Sequence, residues 1–361
     1  MKKRKWIAVL LAAALLLTVL SGCTNSGGTS SEEPSSSSSE SSEPEPVINP
    51  LTGEDGFNPE AVGKRPVAVM VSNIKDSLPQ WGITEADIVY EAVTEGGITR
   101  LMCVFADPSD IPNVGPVRSV REYYPQFSEP LDALFVHFGG STTGYDALTE
   151  YAVEDIDGMT LSSLCFEQDA SRLNRGKEHT YYTNSSLIAA GIEKKGYSTE
   201  GGVSQAFNFV EPGSSASLTG AQVDKATVRF SGYTTAVFEY DAFSAKYLKS
   251  QYGEPHVDAN TGEQVAVDNV IIIYSPTSQI SGTYLTRYDL TSGTGVYLSH
   301  GLSQEFEWSK GDYNDPFVFT DENGDELSFN TGKTWVCVVP QSEIGSTVLE
   351  NTAAVQESAA E

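Results

Sequence analysis

Cations are scarce in this chain. It carries 22 lysines and arginines against 49 aspartates and glutamates, for a formal net charge of -27. A field of that sign repels nucleic acid and anionic membrane surfaces, so broad electrostatic binding to either is excluded and any anion site must be local. Cysteine is also rare, with four in all and no CxxC pair. Cys103, Cys165 and Cys337 sit in the apolar strings LMCVF, SLCFE and WVCVV, which suit small buried hydrophobes. Once Cys23 is set apart, as argued below, the odd remainder is no disulfide framework. The histidines His137, His179, His256 and His300 have neither HExxH nor paired spacing, so no metal is expected. The string DENGDE from Asp321 opens like a calcium loop but fails at Glu326 and Gly332, the sixth and twelfth positions. The lysine and spacing of a phosphate-binding P-loop are absent too, and no cofactor is expected.

What is present starts with an export signal. Lys2, Lys3, Arg4 and Lys5 precede a short apolar run, Trp6 to Leu20, too short for a membrane span. Leu20-Ser21-Gly22-Cys23 then reads as a bacterial lipobox. It predicts cleavage of residues 1–22 and a lipid on Cys23. The protein is thereby placed on the outer face of the cytoplasmic membrane, anchored through that lipid. Residues 23–60 read as a disordered stalk rich in Ser, Glu and Pro, with no lysine or arginine as far as Pro50. About 35 such residues reach roughly 30–35 Å.

The folded part divides by pattern. Residues 61–205 mix strands with helices, as in an α+β or α/β domain. RPVAVMVSN is a buried strand, and ADIVYEAVTEGG with ITRLMCVFAD is a hairpin about Gly96-Gly97. Val117 to Phe127 has helical character, LDALFVHF is a strand, and STTGYDALTEY restarts a helix. Residues 206–345 show short strands between turn residues, as in a β-rich domain, with Asn323-Gly324 as a hairpin turn. Residues 346–361 read as an acidic, frayed tail.

The stretch from Gly115 to Thr142, GPVRSVREYYPQFSEPLDALFVHFGGST, is the densest in groups that bind or react. If helical, it puts Arg118, Arg121 and Glu122 on one face near a helix start, where a guanidinium pair could clamp a carboxylate or phosphate. The alternative is an Arg118–Glu122 pair, with Arg121 bound elsewhere in the fold. Gly139 and Gly140, followed by Ser141, suggest an anion nest above His137, or simple helix capping by Ser141. Arg100, Arg172 and His179 complete the ligand-binding candidates. A Ser141–His137–Asp132 triad lacks the spacing of a nucleophile elbow. Asp87, Glu91 and Glu95 recur every fourth residue, which on a strand is one face, read here as solvated.

Several of these strings carry a likeness. RPVAVMVSN, ADIVYEAVTEGGITR, GPVRSVREYY, LDALFVHFGGS, GKEHTYYTN, YGEPHVDANTGEQVAVDNVIIIY and NTGKTWVCVVP resemble the YerB-like lipoproteins of Gram-positive bacteria over about residues 60 to 340. This chain departs from the family pattern at Gln168 and Thr180. The resemblance implies a lipidated N-terminus and two domains, the second rich in strands, and it implies no activity. The function expected is recognition of a cell-wall component or envelope protein through the arginine- and glycine-rich pocket. The alternatives are a wall hydrolase using His137 or Glu122, and a scaffold.

Overall fold

The computed structural model describes residues 46–352. The signal peptide, Cys23 and most of the expected stalk lie outside the described residues, as does the end of the acidic tail. Order begins earlier than the composition suggests. Leu51 is fully buried, Asn49 donates to Asp87, and Gly332 N–H donates to the Thr52 carbonyl. Residues 47–53 are therefore packed chain, anchored by Leu51 and its polar neighbours, and Phe57 packs against the core beyond them. The tail differs likewise, since Val348–Glu350 adds a strand beside Lys225–Arg229.

Strands dominate. Ten of them form one sheet. Its C-terminal side runs Phe317–Thr320, Leu302–Lys310, Ser292–Ser299, Asn269–Ser275 and Thr334–Pro340; its N-terminal side continues Ile88–Val93, Thr99–Phe105, Val67–Ser72, Leu134–His137 and Asp155–Asp157. The Thr334–Pro340 strand lies parallel to Asn269–Ser275 on one side and to Ile88–Val93 on the other. The sheet thus runs without a break across the boundary drawn at residues 205 and 206. The central strands are buried along their whole length, as expected for continuous apolar runs covered on both faces. The second sheet has six strands, among them Lys225–Arg229, Thr235–Asp241 and Lys246–Gln251. Its one-sided burial follows the alternation in the sequence. Its Phe238 packs edge-on against Trp335 of the large sheet.

The hairpin about Gly96-Gly97 forms as expected, from Ile88–Val93 and Thr99–Phe105. Ser141 caps the Thr142–Glu150 helix, its Oγ accepting from Gly144 N–H at 3.0 Å. The helix expected over Val117 to Phe127 does not form, and only Pro125–Ser128 is helical. Residues 115–120 are instead bonded on both sides. Arg118 N–H donates to Met70, Phe138 N–H donates to Arg118, and Val120 N–H donates to Gly139. Pro116 and two β-branched valines favour extended backbone there, and the neighbouring strand ends supply the partners.

Candidate functional site

The extended segment decides where the arginines point. Arg118, Arg121 and Glu122 do not share a helix face. Glu122 pairs with Arg287 from the C-terminal half at 2.7 Å. Arg121 pairs with Glu95, Nε to Oε2 at 2.8 Å and Nη2 to Oε1 at 2.6 Å. Arg100 joins the same carboxylate at 3.3 Å and donates to the Ser119 carbonyl at 2.6 Å. One carboxylate therefore serves two buried guanidinium groups. Burial pushes the Glu95 carboxyl up, but the Arg121 hydrogen bonds and the charge of Arg100 outweigh it and hold it below its ordinary range. Burial, with Arg121 beside it, takes Arg100 down to about 10.

Arg118 is the exception. It is partly buried, its enclosed Nε has no hydrogen-bond partner, and its guanidinium has no ion-pair partner among the described residues. Glu178, Glu95 and Arg121 act on it only at longer range, and burial lowers its pKa. His179 lies close enough to feel its charge and is 3% exposed, with Nδ1 also buried and unpartnered. Arg100 and Arg121 thus sit on Glu95, and Arg118 lies between this cluster and His179.

The other sequence candidates have settled partners. Gly139, at φ +74°, gives its N–H to Asp157 Oδ1 at 2.9 Å, so the expected nest is already filled by a carboxylate of the chain. Gly140 lies beside the 115–121 segment, bridged to Val120, and Ser141 is a helix cap. His137 is fully buried, with Nδ1 facing the Gly139 carbonyl at 2.8 Å and Nε2 facing Asp155 at 3.1 Å. Both its nitrogens face acceptors, which leaves none for a substrate. Arg172 stacks 3.4 Å over Trp81 and donates to the Ser77 and Pro79 carbonyls, bracing that loop.

Glu95 is the organising residue, and sequence reasoning noticed it only for its spacing and missed this role. A second omission is larger. Glu91, expected on a solvated face, is fully buried. It accepts from Asn73 and Thr99, each at 2.8 Å, and from Trp335 Nε1 at 3.1 Å. Lys249 Nζ lies 3.6 Å from it and donates to Gln251 at 2.9 Å and to His256 Nδ1 at 3.0 Å. His256 Nε2 meets Gln80 at 2.8 Å. The only signal in the sequence was Lys249 between Tyr247 and Gln251, on the inward phase of an alternating strand. This network is closed and satisfied, and it ties the two sheets together.

Among the described residues, no group of three or more His, Cys, Asp and Glu side chains could hold a metal. The surface clefts lie away from the arginines. One of about 450 Å³ is lined by Glu305, Glu307 and Glu322 with Tyr274 and Phe306, and its acidity opposes an anion. Another, of about 320 Å³, lies between residues 204–208 and Pro316–Phe319. Size favours the clefts, but the unpartnered atoms of charged or titratable groups are at Arg118 and His179, and they are the stronger pointer to chemistry.

Comparison with known proteins gives consistent matches. Residues 51–198 match the family described as "Protein of unknown function (DUF3048) N-terminal domain", and residues 226–336 match its C-terminal domain. The chain is 32% identical over 301 residues to "Putative lipoprotein YerB" of Bacillus subtilis (strain 168), covering 82% of this chain and 87% of that protein. It also matches the crystal structure of YerB from Bacillus subtilis with a TM-score of 0.73 and 29% identity, over 84% of this chain and all of that one. The second matched span stops inside the Thr334–Pro340 strand, whose register joins it to the first span at Ile88–Val93. With both domains present and the likeness running along most of its length, the chain belongs to the DUF3048 family of YerB-like lipoproteins.

Proposed function

We propose that this protein is an extracytoplasmic lipoprotein, held by a lipid on Cys23 at the outer face of the cytoplasmic membrane, that recognises an anionic envelope component through Arg118. One observation carries the reading: a partly buried guanidinium whose enclosed Nε has no hydrogen-bond partner among the described residues. An enclosed donor left without an acceptor costs about 1–3 kcal/mol. An anion arriving from outside would supply the missing partner. Arg100 and Arg121, locked on Glu95, form the rigid wall behind it. The lipoprotein name of the Bacillus subtilis relative supports the location.

The test is the melting of the full chain against wall fragments, teichoic-acid pieces and simple anions, beside Arg118→Gln. A ligand at 100 times its dissociation constant adds about 2.7 kcal/mol, a shift of several degrees. The wild type should shift with an anion and the variant should not. An equal shift in both would overturn the assignment.

A further inference from the structure

Four buried side-chain polar atoms among the described residues lack a partner, and two of them, Arg118 Nε and His179 Nδ1, belong to residues that interact with each other. The other two, Tyr313 Oη and Thr347 Oγ1, are uncharged hydroxyls. Single orphans have many causes, but these two come from adjoining segments, joined where Val117 N–H donates to the Tyr181 carbonyl, and together they call for one guest.

We propose that Arg118 and His179 grip a single tetrahedral dianion of the phosphomonoester class, and that His179 takes up one proton as the ligand binds. This rests on the anion-binding reading above and goes beyond it in ligand class and in the role of His179.

Three observations support it. The first is shape. A carboxylate offers two oxygens in one plane, as Glu95 does to Arg121 and Arg100. The unpartnered atoms at Arg118 and His179 come from different backbones, the extended segment and the turn at Lys177–His179, and a tetrahedral group offers oxygens outside one plane to meet both. The second is charge. The groups facing the pair are Arg100, Arg121 and Glu95 behind Arg118, with Arg175, Asp76 and Glu178 around His179. With Arg118 itself, four guanidinium groups face three carboxylates. The surplus is one positive charge, and a protonated His179 would make it two, which a dianion balances. The third is a waiting partner for the proton. His179 Nε2 lies 4.0 Å from Glu178 Oε1, beyond hydrogen-bond reach, so Glu178 supports a protonated ring through charge while Nδ1–H is left for the ligand. Without a ligand, burial and then the nearby Arg118 charge both push the ring's pKa down and so favour its neutral form.

Phosphomonoesters can be soluble or can be lipid headgroups, and the experiment separates the two. Calorimetric titration of the full chain uses sulfate, inorganic phosphate, glycerol 3-phosphate and acetate. Flotation uses phosphatidylcholine vesicles with and without phosphatidic acid. Sulfate keeps its charge across the range, so any pH dependence belongs to the protein. We expect sulfate to bind about tenfold tighter at about pH 6 than at about pH 8, and acetate to bind far more weakly. His179→Asn should flatten that slope. Glu178→Gln, at an exposed position that spares the fold, should reduce it. A slope unchanged in both variants overturns the role of His179. Acetate binding as tightly as sulfate overturns the dianion class while leaving the anion reading intact. Binding that survives Arg118→Gln, or no binding by any anion, overturns both. Glycerol 3-phosphate binding without flotation assigns a soluble ligand; flotation that requires phosphatidic acid assigns a headgroup.

Discussion

Lys249 shows how much one buried residue decides. It is fully buried beside Glu91, with its amine 4.7 Å above the Trp335 ring. Removing one member of such a pair strands the other charge. Lys249→Met is predicted to cost about 3–5 kcal/mol by urea unfolding, and adding Glu91→Gln should recover much of that loss. A double variant no better than the single would show that the amine matters through packing alone. His256 in the same network makes stability pH-dependent. Burial, and then Lys249, hold its pKa well below the ordinary value. The unfolded chain therefore takes up a proton first as pH falls below about 6.5, so the stabilisation present above that point is lost on acidification. The loss of unfolding free energy between about pH 7.5 and about pH 5.5 should be larger in the wild type than in His256→Gln. Identical pH profiles would contradict this account.

At the scale of elements, local chemistry was legible and pairing was not. The hairpin about Gly96-Gly97 could be read from turn residues between β-branched runs. The cap at Ser141 and the turn at Asn323-Gly324 were equally local. The segment 115–121 was misread because its three- and four-residue spacing imitates a helix. Its true partners, Met70, Gly139 and Tyr181, lie far along the chain. The arginines were named correctly, but their geometry follows from that extended backbone and could not be deduced before it. Glu95 was noticed for its spacing to Glu91, whereas its actual role depends on Arg100 and Arg121 across the hairpin and beyond it. The Lys249 network was illegible for the same reason, since it joins residues that sequence separation hides, Asn73 to Gln251 and Glu91 to Trp335.

At the scale of the molecule, the two matched domains are not separate sheets. The last long strand, Thr334–Pro340, closes the gap between Asn269–Ser275 and Ile88–Val93. An N-terminal fragment of residues 46–205 would expose the edge of Ile88–Val93 and the polar side chains that face Lys249. It is predicted to lack cooperative unfolding and to associate through that edge. A monomeric fragment with a sharp melting transition would show that the halves fold independently. Such fused topology also makes most contacts non-local, which is why the sheet order could not be read from adjacent segments.

Whole-molecule charge bears on function as well. At a net charge of -27, the surrounding field opposes any anion, so recognition must come from a short-range, desolvated contact. Arg118 is the group placed to make it. The most direct measurement is the unfolding free energy of the wild type and of Arg118→Met, each without added anion and with phosphate. The account predicts that the variant is as stable as the wild type, or more stable by roughly 0–2 kcal/mol, because the substitution removes an enclosed donor that has no acceptor. It also predicts that phosphate stabilises only the wild type. A variant that loses about 2 kcal/mol or more and still gains stability from phosphate would mean that Arg118 braces the fold and that the anion binds elsewhere.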